Sequence, residues 1–253
     1  MKRIEYLDLS ANRILVAGDI HGDLVALKRI IEIFNPDEDH LIFLGDYADR
    51  GENGVECIEM IWDLMLKYPE SVTALKGNHE DFDGDGNPLF MPCDLVYEVE
   101  EKRGNWTNYF KSMKNFLKLL KIGIIFDKII FVHGFISSGI ESMDRIDRNI
   151  EIEIIWNDPI NEFGEYSNPR GIGKLVGKDI TSKFLEKFGI NFIIRSHEPR
   201  KALSAPFIEQ DGLALTISST GVYGGVPHLL VIKRDEIPKN GVSASKNFIL
   251  LYQ

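Results

Sequence analysis

A chain of 253 residues, 44% hydrophobic and 27% charged, is long enough to bury a sizeable core as one α/β domain. A formal net charge of −10 argues against non-specific nucleic-acid binding, which needs basic patches to displace counterions. The two cysteines form no Cys-x-x-Cys pair, so neither a thiolate zinc site nor a disulfide framework is indicated, and no apolar run reaches the length of a membrane span. Residues 14–78 then repeat one pattern three times, a short apolar run ending in Gly followed by Asp or Asn. The three are Ile14–Asp19, Leu41–Asp46 and Val72–Asn78. Such runs, rich in β-branched residues and bounded by Gly, predict buried strands. Leu24, Leu27, Ile30, Ile31 and Phe34 follow the first at helical spacing, as Val55, Ile58, Ile61, Trp62 and Met65 follow the second. Strand–helix–strand alternation predicts parallel strands with crossover helices. Ligands in such sheets sit beyond the carboxyl ends of the strands, so Asp19, Asp46 and Asn78 are expected to converge.

Farther along, a helix is predicted near 105–120, with Trp106, Tyr109, Phe110, Met113, Leu117 and Leu120 on one face. Ile122–Phe126 and Ile129–His133, split by Asp127-Lys128, predict a hairpin ending in His133-Gly134. Residues 178–188 predict a helix, and 191–195 a strand that delivers Ser196-His197. Leu213–Ser218, His228–Lys233 and Phe248–Tyr252 are further strand candidates. No linker, low-complexity tract or solenoid repeat interrupts the chain. A single domain over 1–253 with two sheets is expected.

The polar residues at the strand ends are Asp19, His21, Asp46, Asp49, Arg50, Asn78, His79, His133 and His197. Carboxylates, an amide and imidazoles together suit a dinuclear site for manganese, iron or zinc better than calcium. A carboxylate such as Asp46 can bridge two ions roughly 3.5–4 Å apart. Singly, each residue has an ordinary explanation: an Asp after Gly usually forms a turn, and a lone His is usually surface or satisfied core. Jointly they do not, because His21, His79, His133 and His197 all fall just beyond predicted strands. His40 and His228 are given no role.

GDIHG at 18–22, GDYADRG at 45–51 and GNHE at 77–80 resemble the signature of the metallophosphoesterases. More narrowly the chain resembles the phosphoprotein phosphatase (PPP) family of serine/threonine phosphatases. His133-Gly134, Trp156-Asn157-Asp158-Pro159, Asn168-Pro169-Arg170-Gly171, Arg195-Ser196-His197 and Ser218–Gly224 resemble its later elements, so the likeness runs from about 14 to 231. The resemblance implies a two-sheet β-sandwich flanked by helices, an α/β/β/α arrangement. It implies that Asp19, His21 and Asp46 bind a first metal, and Asp46, Asn78, His133 and His197 a second, with manganese first and iron or zinc as alternatives. His79 would be the general acid, oriented by Asp49. Arg50, Asn78 and Arg170 would contact phosphate oxygens, with Tyr223 lining the pocket beside them.

The chemistry implied is hydrolysis of phosphoserine and phosphothreonine monoesters by a water that two divalent ions acidify, with no covalent enzyme intermediate. Phosphoprotein substrates are expected, with no nucleic-acid or membrane partner, in the cytoplasm. No regulatory partner is legible. The alternative is a dinucleoside polyphosphate or nucleotide phosphohydrolase using the same metals. A non-catalytic phosphate-binding scaffold is disfavoured because every ligand position, His79 and both arginines are filled. Three departures from the family stand out. Phe135 replaces a glycine and is expected to reshape the pocket wall. Pro169 stiffens the loop before Arg170. Tyr223-Gly224-Gly225 replaces a Tyr-Cys-Gly, so the cysteine that some toxins modify is missing. The adjoining DFDGDGN resembles the start of a calcium loop, but its twelfth position is Pro92 where a bidentate Glu belongs. It is read as an acidic surface turn.

Overall fold

Strands buried on both faces read as unbroken apolar runs, and several such runs here become the centre of the molecule. The computed structural model describes residues 4–8, 10–203 and 206–252. Its strands are β1 (Ile4–Tyr6), β2 (Arg13–Ala17), β3 (Asp39–Phe43), β4 (Val72–Ala74), β5 (Gly123–Phe126), β6 (Ile129–Val132), β7 (Asp158–Pro159), β8 (Glu165–Ser167), β9 (Lys174–Val176), β10 (Phe192–Arg195), β11 (Phe207–Glu209), β12 (Ala214–Thr216), β13 (His228–Lys233) and β14 (Phe248–Leu250). Its helices are α1 (Leu24–Ile33), α2 (Gly54–Lys67), α3 (Leu95–Arg103), α4 (Trp106–Leu119), α5 (Arg148–Trp156), α6 (Lys178–Phe188) and α7 (Gly241–Ala244).

One sheet has the order β14-β13-β2-β3-β4 and the other β1-β5-β6-β10-β12-β11. Strands β2, β3 and β4 are parallel, as the crossover pattern predicts, and β5 and β6 form the expected antiparallel hairpin. Side-chain alternation sorts each strand between two layers. Ile14, Val16 and Ile42 meet Ile124, Phe131 and Ile194 between the sheets. Leu15, Leu41 and Phe43 face outward onto Leu27, Ile30, Ile58 and Phe116 of the helices. On the far side Ile130, Val132 and Ile193 pack against Ile154, Phe184 and Leu185. The result is the expected α/β/β/α layering. A small third sheet, β7-β9-β8, adds to it.

Local chemistry sets the helix ends. The Asp23 carboxylate accepts from Ala26 N (3.0 Å) to cap α1, and Asn105 accepts from Asn108 N (2.9 Å) to cap α4. The carboxylate of Glu98 on α3 accepts from Gly54 N and Val55 N, both at 3.0 Å, and so caps α2 from outside. Gly45 is required where the sheets meet. Its φ is +114°, and a Cβ there would lie 2.5 Å from Gly77 N and 2.9 Å from His133 Nδ1.

Two expectations need correction. Phe135 does not reach a pocket wall; it is fully buried in the core beside Ile136 and Ile154. The DFDGDGN stretch is a surface turn only from Asp83 onward, where Asp83 accepts from Asp85 N and Asn87 N (2.9 and 2.8 Å). Phe82 packs on Phe90, Trp106 and Phe110. Asp81 is only 2% exposed and pairs with Lys76 (2.6 Å) and Arg148 (2.6 Å).

Lys76 also pairs with Glu151 of α5 at 2.7 Å. This ion cluster ties the end of β4, and the loop that follows it, to α5. Lys76→Met leaves two buried carboxylates short of a cation. It is expected to lower stability by about 3 kcal/mol, at the lower end for breaking a buried pair because Arg148 remains. Urea denaturation measures it, and a loss below about 1 kcal/mol would show that Arg148 alone neutralises both acids.

Candidate active site

The turns after β2, β3 and β4 carry Asp19, Asp46 and Asn78, and those after β6 and β10 carry His133 and His197. Both sheets therefore deliver side chains to one seam. The backbone there is unusual. His21, Asp46, Asp49, Arg50 and His197 all have positive φ, between +46° and +72°. Each such conformation costs of order 1 kcal/mol or more, and clustering of this kind is typical of functional turns.

Each side chain is held on one atom and left bare on another. Asp19 Oδ1 accepts from His197 N (3.0 Å) and from the Ser196 hydroxyl, while its Oδ2 is buried with no hydrogen-bond partner among the described residues. His21 Nδ1 donates to Ala48 O (2.9 Å) and His133 Nδ1 to Leu44 O (3.0 Å), which leaves both Nε2 lone pairs free. His21 Nε2 faces Asp19 Oδ2 at 3.8 Å and Asp46 Oδ2 at 3.5 Å. His133 Nε2 faces Asn78 Oδ1 at 3.0 Å, His197 Nδ1 at 3.2 Å and Asp46 Oδ1 at 3.3 Å. Acceptors this close repel unless a proton or a cation lies among them. The two oxygens of Asp46 thus look into two separate clusters of donor atoms. Asp46, His133 and His197 offer ligand atoms within 4.8 Å of one another, as do His21, Asp46 and His79. Hard oxygen and imidazole donors with an orphaned carboxylate oxygen fit a pair of divalent cations.

The electrostatics of the protein groups point the same way. Burial would raise the Asp46 carboxyl, but the charges of His133 and His79 hold it well below its usual range. Burial lowers His21 and His197, with the His133 and Arg170 charges adding to the effect at His197, so both favour the neutral, ligating form. Burial would also lower His133, yet Asp46 beside it leaves it raised. A cation among these acceptors would replace that proton.

His79 is placed differently. Its Nδ1 bonds Asp49 Oδ2 at 2.6 Å, and its ring packs on Phe90, with centroids 4.6 Å apart. Asp49 is fully buried, and its other oxygen accepts from Asp94 N and Leu95 N (2.5 and 2.8 Å) at the start of α3. Burial would lower His79, but Asp46 and the Asp49 hydrogen bond raise it. The geometric cluster that includes His79 overlaps the expected Asp19–His21–Asp46 set. With Nδ1 occupied by Asp49, only its Nε2 is left to act.

These residues floor a cleft of about 570 Å³. Arg50, Arg170 and Tyr223 stand along its sides, while Asp19, His133 and Asp49 lie beneath its surface. Arg170 Nη1 donates to His197 Nε2 (3.0 Å), and its Nε lies 3.4 Å from Asp158 Oδ2. Arg50 bonds Pro92 O (3.1 Å) at the mouth. All the expected site residues are brought together. Sequence reasoning missed the supports. Glu80 accepts from the backbone N of Asp46, Tyr47 and Gly77 (2.9, 3.0 and 2.9 Å), and burial with Asp46 nearby pushes its carboxyl up to about 7. Asp158 pairs with fully buried Arg195 at 2.9 Å. Both lie inside quoted motifs, which was the available signal. The apolar wall Pro88–Met91 had none.

Comparison with known proteins agrees with this geometry. Residues 12–201 match the calcineurin-like phosphoesterase family. The chain is 36% identical over 200 residues to a protein phosphatase 2A catalytic subunit of Dictyostelium discoideum, covering 73% of this chain and 62% of that protein's length. It spans less than two thirds of that relative. A protein serine/threonine phosphatase structure from Saccharomyces cerevisiae superposes with a TM-score of 0.77 at 22% identity, over 98% of this chain and 82% of the other. A cold-active protein-tyrosine phosphatase of a psychrophilic Shewanella superposes at 0.61 with 15% identity, over 93% and 78%. The two superpositions speak to the fold alone. Donor geometry and ordered motifs agree with the family match over 12–201, and the chain belongs to the calcineurin-like phosphoesterase family.

Proposed function

We propose that the protein is a metal-dependent phosphoprotein phosphatase that hydrolyses phosphoserine and phosphothreonine monoesters, with 1–253 acting as a single catalytic domain. The observation that carries this reading is the pairing, in one cleft, of two bare donor clusters with the Asp49–His79 dyad. Asp19, His21 and Asp46 would hold one ion and Asp46, Asn78, His133 and His197 the other, manganese first, iron or zinc as alternatives. Held by these residues, a pair of divalent cations would supply an acidified water near neutral pH and would offset the charge of phosphoryl oxygens.

The protein's own residues do the rest. Arg50 and Arg170 present guanidinium donors that match phosphate oxygens, with the Asn78 amide and Tyr223 beside them. His79 Nε2 gives a proton to the departing serine or threonine oxygen, which is otherwise a poor leaving group. Asp49 holds the ring through Nδ1 and favours its protonated form. Phe90 closes one side of the ring and limits its rotation. Nothing in this scheme asks for a serine or cysteine nucleophile, and both cysteines are buried, their thiols raised by burial.

Phosphate release from a phosphoserine peptide, compared with cleavage of a diadenosine polyphosphate, tests the substrate class. The peptide is expected to turn over faster. Cleavage of the dinucleotide alone would replace this reading with the nucleotide one.

His79→Asn tests the proton donor. It is expected to keep the metal content and to lose about 10²–10⁴ in kcat on phosphoserine peptide. The loss on p-nitrophenyl phosphate, whose leaving group needs little protonation, is expected to be much smaller. Equal losses on both substrates would reject the general-acid role.

A further inference from the structure

The loop from Ser218 to Gly224 carries Tyr223 into the cleft, where its ring meets His21 edge-on with centroids 5.5 Å apart. Arg50 lines the same cleft, and the Arg200 guanidinium sits 5.8 Å from the Tyr223 ring centre. The loop's root is fixed from below. Ser219 N donates to Asp19 O (3.1 Å), and Ser219 Oγ accepts from Gly18 N (2.9 Å) while donating to His228 O (2.7 Å).

Its tip is fixed from a different direction. Gly221 N donates to Asp23 Oδ2 at 2.8 Å, and the hydroxyl of Tyr252 donates to the same oxygen. Asp23 Oδ1 is already engaged in capping α1. The Tyr252 hydroxyl lies so close to Gly221 Cα that a Cβ there would collide with it. Tyr252 itself is held by the strand before it. β14 pairs with β13, and Leu251 N donates to Pro227 O at 2.9 Å. A turn between Gly221 O and Gly224 N (2.8 Å) then sets where Tyr223 points.

We propose that Tyr252 is a positioning residue for the substrate pocket: through Asp23 and Gly221 it fixes the loop that presents Tyr223 to the phosphate. It touches neither the expected metal ligands' bare atoms nor the cleft. Its effect reaches substrate through one backbone N–H and the ring two residues on. The functional part rests on the phosphatase reading; the positional part does not.

The two parts are tested separately. Fluorotyrosine placed at position 223 reports the loop by ¹⁹F NMR in the full chain. Tyr252→Phe is expected to move that resonance towards the value of solvent-exposed fluorotyrosine and to broaden or split it. An unchanged resonance overturns the clamp, whether or not the protein hydrolyses anything. In kinetics, Tyr252→Phe is expected to raise KM for a phosphoserine peptide about fivefold, with kcat within about twofold and metal content unchanged. In a Tyr223→Ala background the same change is expected to leave KM nearly unaltered, because the two act as one unit. Equal fold-changes in both backgrounds, or a fall in kcat with KM constant, would overturn the route through Tyr223. Loss of all phosphate-ester turnover in the unaltered protein would instead refute the phosphatase reading, with the NMR result still deciding the clamp.

Discussion

Two buried carboxylates with bare oxygens, Asp19 and Asp46, set the terms for everything around them. Placing negative charge at a seam between two β-sheets is costly unless positive charge is close by. The fold meets that cost in two ways. Backbone N–H groups and a hydroxyl hold one oxygen of each acid: His197 N and Ser196 on Asp19, His79 N on Asp46. Asp19 Oδ2 and Asp46 Oδ2 face His21, whose Nδ1 is pinned to Ala48 O, while Asp46 Oδ1 keeps a second lone pair towards His133, whose Nδ1 is pinned to Leu44 O. Left-handed backbone at five site residues is the geometric consequence. Turns tight enough to aim these side chains inward are ones that Asp and His tolerate better than most residues. The strain is held by packing such as that around Gly45, where no side chain fits.

The supporting structure follows the same logic at longer range. Glu80 stitches the Asp46 turn to the Gly77 turn through three backbone donors. Lys76, Asp81, Arg148 and Glu151 anchor that segment to α5. Arg195, fully buried, binds Gly134 O (2.6 Å), Asp158 and Glu198, so the turns after β6 and β10 are locked together. Against a net charge of −10, Arg50, Arg170 and Arg200 gather around one cleft. Guanidinium groups so placed offer donors to an anionic group in the cleft.

Much of this was legible before the fold. The three Gly-Asp/Asn strand ends and the histidines beyond predicted strands point to Asp19, His21, Asp46, Asn78, His79, His133 and His197, which the structure gathers at one seam, because strand ends in parallel sheets converge on one edge. The helices over 24–33, 106–119 and 178–188 followed from apolar spacing. What stayed hidden has physical causes. The run Ile150-Glu151-Ile152-Glu153-Ile154 alternates like a strand but is helical, nucleated by Asp147 accepting from Asn149 N and Ile150 N (2.9 and 3.0 Å). Helix α3 carries too many charges for a clear apolar face, and its place is set by Asp49 and by its own Glu98 reaching α2. Asp81 looked like one more acid in an acidic turn, and only tertiary contact shows it buried with two cations. Phe135 was expected at the pocket because a glycine motif normally stands there, yet β6 turns it into the core.

The central claim is that Asp46 divides two cation sites between its two oxygens. Anomalous diffraction from crystals grown with manganese tests it most directly. Two peaks are expected, flanking the Asp46 carboxylate. One lies beside Asp19 Oδ2 and His21 Nε2, and the other beside Asn78 Oδ1, His133 Nε2 and His197 Nδ1. A single peak, or peaks away from Asp46, would contradict it.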